Sequence, residues 1–129
     1  KDYIEMQWLM LQQKTPKDYV IATGKQYSIR DFIEMTLKFL GIRIEWKGNG
    51  ISEEGVIREI KRENIAFKTS EPKCKVGQVI IKVDPKYYRP TEVETLLGDS
   101  SKAKKELGWS PKISFEELVF EMIEKDLEK

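Results

Sequence analysis

Three serine caps and three glycine stops constrain the fold of this chain most. Ser28 stands three residues before Asp31, and Ser114 three before Glu117. A hydroxyl and a carboxylate at that spacing can satisfy the open N–H groups of a first helical turn, so a helix starts at each place. Apolar residues then recur at helical spacing, from Ile29 through Phe32, Ile33, Leu37 and Leu40 to a stop at Gly41, and from Phe115 to Leu127. Ser100 caps a shorter helix that runs through Ala103 and Leu107 and ends at Gly108. Between these lie segments of strand length. Ile42, Ile44 and Trp46 alternate with Arg43 and Glu45, as in a strand with one wet face. Val79 to Val83 reads as a buried strand ended by Asp84-Pro85, and Tyr19 to Thr23 as another, closed by Gly24. Short strands with about four helices define an α/β chain.

The first of those helices runs from Asp2 to Gln13 and is apolar on nearly every face, with Tyr3, Ile4, Met6, Trp8, Leu9, Met10 and Leu11. Burial on more than one side is expected of such a helix. It also begins without a cap, as a cut end would. Lys14 to Asp18 is a turn around Pro16. No single period fits the segment at about 47–76, which reads as a long variable loop whose structure stays open, with a short hairpin or helical turn allowed by the apolar Val56, Ile57, Ile60 and Ile65 to Phe67. Gly48 and Gly50 lie in it, followed by Gly55, but without the lysine and amphipathic helix of a phosphate-binding loop.

Composition excludes several functions. With 40% hydrophobic and 35% charged residues, 129 residues are ordinary for one modest domain. A net charge of +1 supplies no field to draw in nucleic acid or an anionic membrane. No apolar run approaches the roughly 20 residues that span a bilayer. There is no histidine and only one cysteine, Cys74, so neither a Cys/His metal cluster nor an internal disulfide is expected, and the cytoplasm is the default location.

Lys86-Tyr87-Tyr88-Arg89-Pro90-Thr91-Glu92-Val93 follows the Val79 strand, where strand hands over to loop. The guanidinium of Arg89 matches a phosphate, and the acceptor-only carboxylate of Glu92 suits a pair of sugar hydroxyls. Together they could hold a nucleotide sugar at its diphosphate and ribose. A surface ion pair beside core tyrosines would have the same spacing. No catalytic set is visible: no glycine fingerprint follows a first strand, and none of Tyr3, Tyr19, Tyr27, Tyr87 and Tyr88 has a lysine four residues on.

Several separated motifs carry a resemblance. Lys1-Asp2-Tyr3-Ile4 with Trp8 to Gln12, Asp18 to Gly24 with Ser28 to Phe32, Val83-Asp84, Tyr87 to Val93, Leu96 to Asp99, Lys102-Ala103 and Phe115 to Val119 resemble the C-terminal part of the GDP-mannose 4,6-dehydratases, which are extended short-chain dehydrogenases/reductases. The resemblance implies a homo-oligomeric, NADP-dependent lyase that converts GDP-mannose to GDP-4-keto-6-deoxymannose. It also implies that the Rossmann half, with its cofactor and catalytic residues, lies N-terminal to this chain. Residues 1–13 would then pack on that dinucleotide-binding domain, and 14–129 would form the substrate-binding domain. Arg89 would hold the GDP diphosphate and Glu92 the ribose. NADP would belong to the parent enzyme, and the chain alone would be inactive. The family pattern is departed from at Glu94, where Asp commonly follows Glu-Val, and in a loop after Gly50 longer than usual. A rival reading is a free-standing nucleotide-sugar-binding or scaffold module without catalysis.

Overall fold

The computed structural model describes residues 1–61, 73–89 and 95–128. Four helices and three strands are found there: α1 (Asp2–Leu11), α2 (Ile29–Phe39), β1 (Ile42–Lys47), β2 (Glu54–Ile60), β3 (Val79–Lys82), α3 (Ser101–Leu107) and α4 (Phe115–Leu127), with a 3-10 turn at Gly50–Ser52. The chain forms two compact units, one of Lys1–Tyr27 with Val93–Leu118, the other of Ser28–Glu92 with Val119–Lys129.

In the first unit Met6, Ala103 and Trp109 are buried together, with Leu9, Met10, Tyr19, Ile21 and Leu107 packed around them. The start of α1 is tied down by polar contacts. The Asp2 carboxylate accepts the backbone N–H groups of Lys112 (2.8 Å) and Ile113 (2.9 Å), and the Asp2 carbonyl accepts the indole N–H of Trp109 at 3.1 Å. One face of α1 stays uncovered, with Ile4, Trp8 and Leu11 exposed at helical spacing.

Tyr19–Thr23 does not form the expected strand. Its backbone joins no ladder among the described residues, and side chains hold it instead. Glu106 on α3 accepts from Lys17 Nζ and from the Tyr19 hydroxyl, both at 2.9 Å, while Lys102 Nζ donates to the Asp18 carbonyl at 2.8 Å. Tyr19 and Ile21 turn toward the core and Val20 outward, so an apolar pattern arises without a partner strand. The cap of α3 also differs from the expectation. Ser100 occupies the cap position without a side-chain bond, and the Asp99 carboxylate accepts from Ser101 N (2.9 Å) and its hydroxyl. Gly108 ends the helix in the left-handed conformation, φ +66°.

The second unit holds an antiparallel sheet in the order β1-β2-β3. Helix α2 starts as its sequence requires: Asp31 N donates to Ser28 Oγ (3.0 Å), and Ser28 N to the Asp31 carboxylate (2.7 Å). Strand β1 alternates half-buried and exposed side chains. Strand β2 lies inside the segment read as a long variable loop and forms the second arm of a hairpin with β1. As the central strand it buries Gly55, Val56 and Ile57 in succession, and burial on both faces removes the period-two signal. Residues 62–72 of that segment lie outside the described residues. Gly55 faces Ile81 and Ile44 so closely that a Cβ would come 3.0 Å from Ile81 Cβ and 3.1 Å from Ile44 Cδ1. Exposed cross-strand pairs, Arg43–Glu59, Arg58–Glu45 and Lys82–Glu54, flank this core; such pairs each contribute at most about 1 kcal/mol.

Helix α4 begins with the full capping box read from sequence. Glu117 N donates to Ser114 Oγ (3.2 Å), and the Glu117 carboxylate accepts Ser114 N (2.7 Å) and its hydroxyl (2.8 Å). Those bonds hold Glu117 below the usual carboxylate range, with the backbone bond the largest cause. Asp31 and Asp99 are lowered mainly by the hydroxyls of Ser28 and Ser101, and Asp2 chiefly by the Ile113 N–H.

Two outcomes follow from this arrangement. Because these carboxylates titrate lower folded than unfolded, their stabilisation is complete above about pH 5 and is lost as pH falls through the folded values. The melting temperature should hold between pH 7 and 5 and drop toward pH 3, less steeply in Glu117→Gln; a flat profile from 5 to 3 would contradict it. Gly48 has φ +74°, and a Cβ there would lie 2.3 Å from the Ser52 carbonyl oxygen. Gly48→Ala should therefore destabilise by about 1–3 kcal/mol, seen as a lower urea midpoint at unchanged slope.

Candidate functional site

The expected site begins where β3 ends. Val83 N donates to the Glu53 carbonyl at 3.3 Å, which keeps the departing chain beside the start of β2. Asp84-Pro85 then turns it. Asp at the first and Pro at the second position favour a tight turn. The Asp84 carboxylate accepts Lys86 N at 2.9 Å, and the Asp84 carbonyl accepts Tyr87 N at 3.0 Å. Tyr87 projects into solvent, with Lys86 Nζ 5.3 Å from its ring centroid.

Tyr88 meets the hairpin that joins β1 to β2. A Cβ on Gly50 would lie 3.3 Å from the Tyr88 hydroxyl oxygen and 3.9 Å from Cζ, so the tip of the ring sits against that glycine. The turn is closed by its own bonds: Ser52 N (3.1 Å) and Ser52 Oγ (2.8 Å) donate to the Asn49 carbonyl, and Glu53 N donates to the Gly50 carbonyl at 3.2 Å. Glu53 accepts from Arg30, whose guanidinium also lies 4.9 Å from the centre of the Trp46 ring, and Trp46 Nε1 donates to Glu34 at 2.7 Å.

Arg89, one residue beyond Tyr88, is exposed at the end of this described stretch. Glu92, its expected companion, lies outside the described residues with 90–94. The sequence-predicted motif is thus placed as far as its arginine. Sequence reasoning missed the Gly48–Ser52 turn that adjoins it. The closely spaced Gly48 and Gly50 were the available signal, and they serve a tight hairpin turn against which Tyr88 rests.

Open grooves also occur away from this turn. One of about 420 Å³ lies along α2 and β1 with Glu34, Lys38, Arg43 and Glu59 in its walls; another of about 420 Å³ is lined by Tyr27, Ile113, Phe115 and Leu118. In the second, Tyr27 and Phe115 stack with centroids 4.0 Å apart. Among the described residues no three His, Cys, Asp or Glu side chains are grouped to hold a metal ion. No described helix is long and apolar enough to cross a membrane.

A turn at the end of the sheet thus presents Arg89 on a small α/β scaffold. Comparison with known proteins shows the family. The family model for GDP-mannose 4,6 dehydratase matches residues 1–122. The chain is 53% identical, over its whole length, to the GDP-mannose 4,6-dehydratase of Vibrio cholerae serotype O1, of which it covers 33%. It is 54% identical to that of Yersinia enterocolitica over its whole length and 33% of the relative, and 44% identical to that of Homo sapiens over 99% of the chain and 30% of the relative. The chain belongs to the GDP-mannose 4,6-dehydratase family, and it spans about a third of the length of the curated relatives it matches.

Proposed function

We propose that this chain is the GDP-sugar-binding part of a GDP-mannose 4,6-dehydratase, inactive by itself. The observation that carries the reading is identity above 50% to two bacterial GDP-mannose 4,6-dehydratases along the entire chain. In the parent reaction GDP-mannose yields GDP-4-keto-6-deoxymannose and water, in a cytoplasmic homo-oligomer that serves deoxyhexose synthesis.

Arg89 binds the diphosphate. Its exposure at the end of a hydrogen-bonded turn supports that role, because a guanidinium fork can then meet two phosphate oxygens at once. Glu92 takes the ribose hydroxyls. Residues 1–13 pack on the dinucleotide-binding domain, supported by the exposed Ile4, Trp8 and Leu11 face of α1, and 14–129 form the substrate-binding domain. The parent's NADP does not fit the residues present here. The described sheet is antiparallel throughout, and the sequence has no glycine fingerprint between a strand and a helix. No hydride step is therefore assigned to this chain, whose part is to bind and orient.

Calorimetric titration of the 129-residue chain with GDP, GDP-mannose and GMP tests the reading. GDP and GDP-mannose should bind and GMP should not. Arg89→Ala should weaken GDP on the order of ten- to a hundredfold, the loss of a charged hydrogen-bonding group. Glu92→Gln should be milder because one acceptor oxygen remains. Equal affinity for GDP and GMP, or for wild type and Arg89→Ala, would contradict the diphosphate assignment.

A further inference from the structure

Gly50 and Tyr88 come from segments far apart in sequence and meet at the base of the arginine turn. We infer that they form a seat fixing the direction in which the backbone leaves for Arg89, which makes Tyr88 a positioning residue for diphosphate binding; this rests on the reading of Arg89 given above.

Both halves of the seat are held independently. On one side, Gly48 and Gly50 have φ +74° and +54°, and the Asn49 and Gly50 carbonyls accept the bonds that close the turn. Only glycine adopts that backbone without strain. On the other side, the Val83–Glu53 bond and the Asp84 turn set where Tyr88 arrives. The ring tip then closes on Gly50, with the hydroxyl oxygen 3.3 Å from where a Cβ would stand. That is tighter than ordinary van der Waals contact, so a methyl group at residue 50 requires the ring tip to give by a few tenths of an ångström.

Arg89 is the next residue, its Cα about 3.8 Å from that of Tyr88. A shift of Tyr88 that its backbone takes up re-aims the guanidinium. Bidentate contacts lose strength steeply with such misplacement, since small errors of position carry large penalties in a preorganised site. The seat supplies order to a turn whose side chains are otherwise exposed, and it does so through shape alone. Removing the hydroxyl oxygen leaves Cζ at 3.9 Å, an ordinary contact, so Phe at residue 88 should tolerate Ala at residue 50.

The test compares GDP affinity in four proteins. Gly50→Ala should weaken GDP about tenfold. Gly77→Ala has the same kind of backbone, φ +85°, but its Cβ would meet open space; it controls for strain and should stay within about twofold of wild type. Gly50→Ala with Tyr88→Phe should recover most of the loss, which a general destabilisation would not allow. Equal effects of Gly50→Ala and Gly77→Ala, or no recovery in the double variant, would overturn the seat while leaving the Arg89 assignment standing. The contact is also read without ligand, as a nuclear Overhauser effect between the Tyr88 ring and the Gly50 α protons. Its absence in wild type would overturn the seat, whereas failure of folded wild type to bind GDP would overturn the Arg89 reading and this role with it.

Discussion

The hairpin from β1 to β2 exists because glycine stands at 48 and at 50. A side chain at 48 would collide with the Ser52 carbonyl, and one at 50 would meet the tip of Tyr88. Much in the second unit depends on that turn. It sets the register in which Lys47 faces Glu54 and Trp46 faces Gly55, and so places Val56 and Ile57 in the core. It also gives Val83 its partner at Glu53, which brings the end of β3 beside the hairpin. The arginine turn is built on this corner, between two strand ends whose backbones are already fixed.

The first unit is ordered in another way. Its core is small, and side chains to backbone groups do much of the joining: Asp2 to residues 112 and 113, Trp109 to the Asp2 carbonyl, Lys102 to the Asp18 carbonyl. Such bonds each contribute modestly, about 1 kcal/mol, yet leaving their partners unmet would cost more. They hold an extended strap against α3 without a sheet. This unit leaves the apolar face of α1 with Ile4, Trp8 and Leu11 exposed.

What could be read from sequence was local. The Ser28–Asp31 and Ser114–Glu117 boxes, the alternation in β1 and the stop at Gly108 depend on residues within one turn or one strand, and each is found as expected. Long-range pairing was not legible. Tyr19–Thr23 has the composition of a strand but no ladder partner among the described residues, and β2 hides its strand character by burying both faces. Ser100 stands at the cap position of α3 as expected, but the side-chain bonds there come from its neighbour Asp99, which holds Ser101. At the candidate site, residue chemistry pointed to Arg89 and Glu92, but the seat beneath Tyr88 joins segments more than thirty residues apart in sequence. Glu92 itself lies outside the described residues.

The most direct measurement is a two-dimensional amide spectrum of the isotopically labelled chain during addition of GDP. Saturable shifts concentrated at Tyr87, Tyr88 and Arg89 and across residues 48–53 are predicted, because ligand and seat share one corner of the sheet. A well-dispersed spectrum in which those amides stay still, while others move or none do, would contradict a nucleotide site built on the arginine turn.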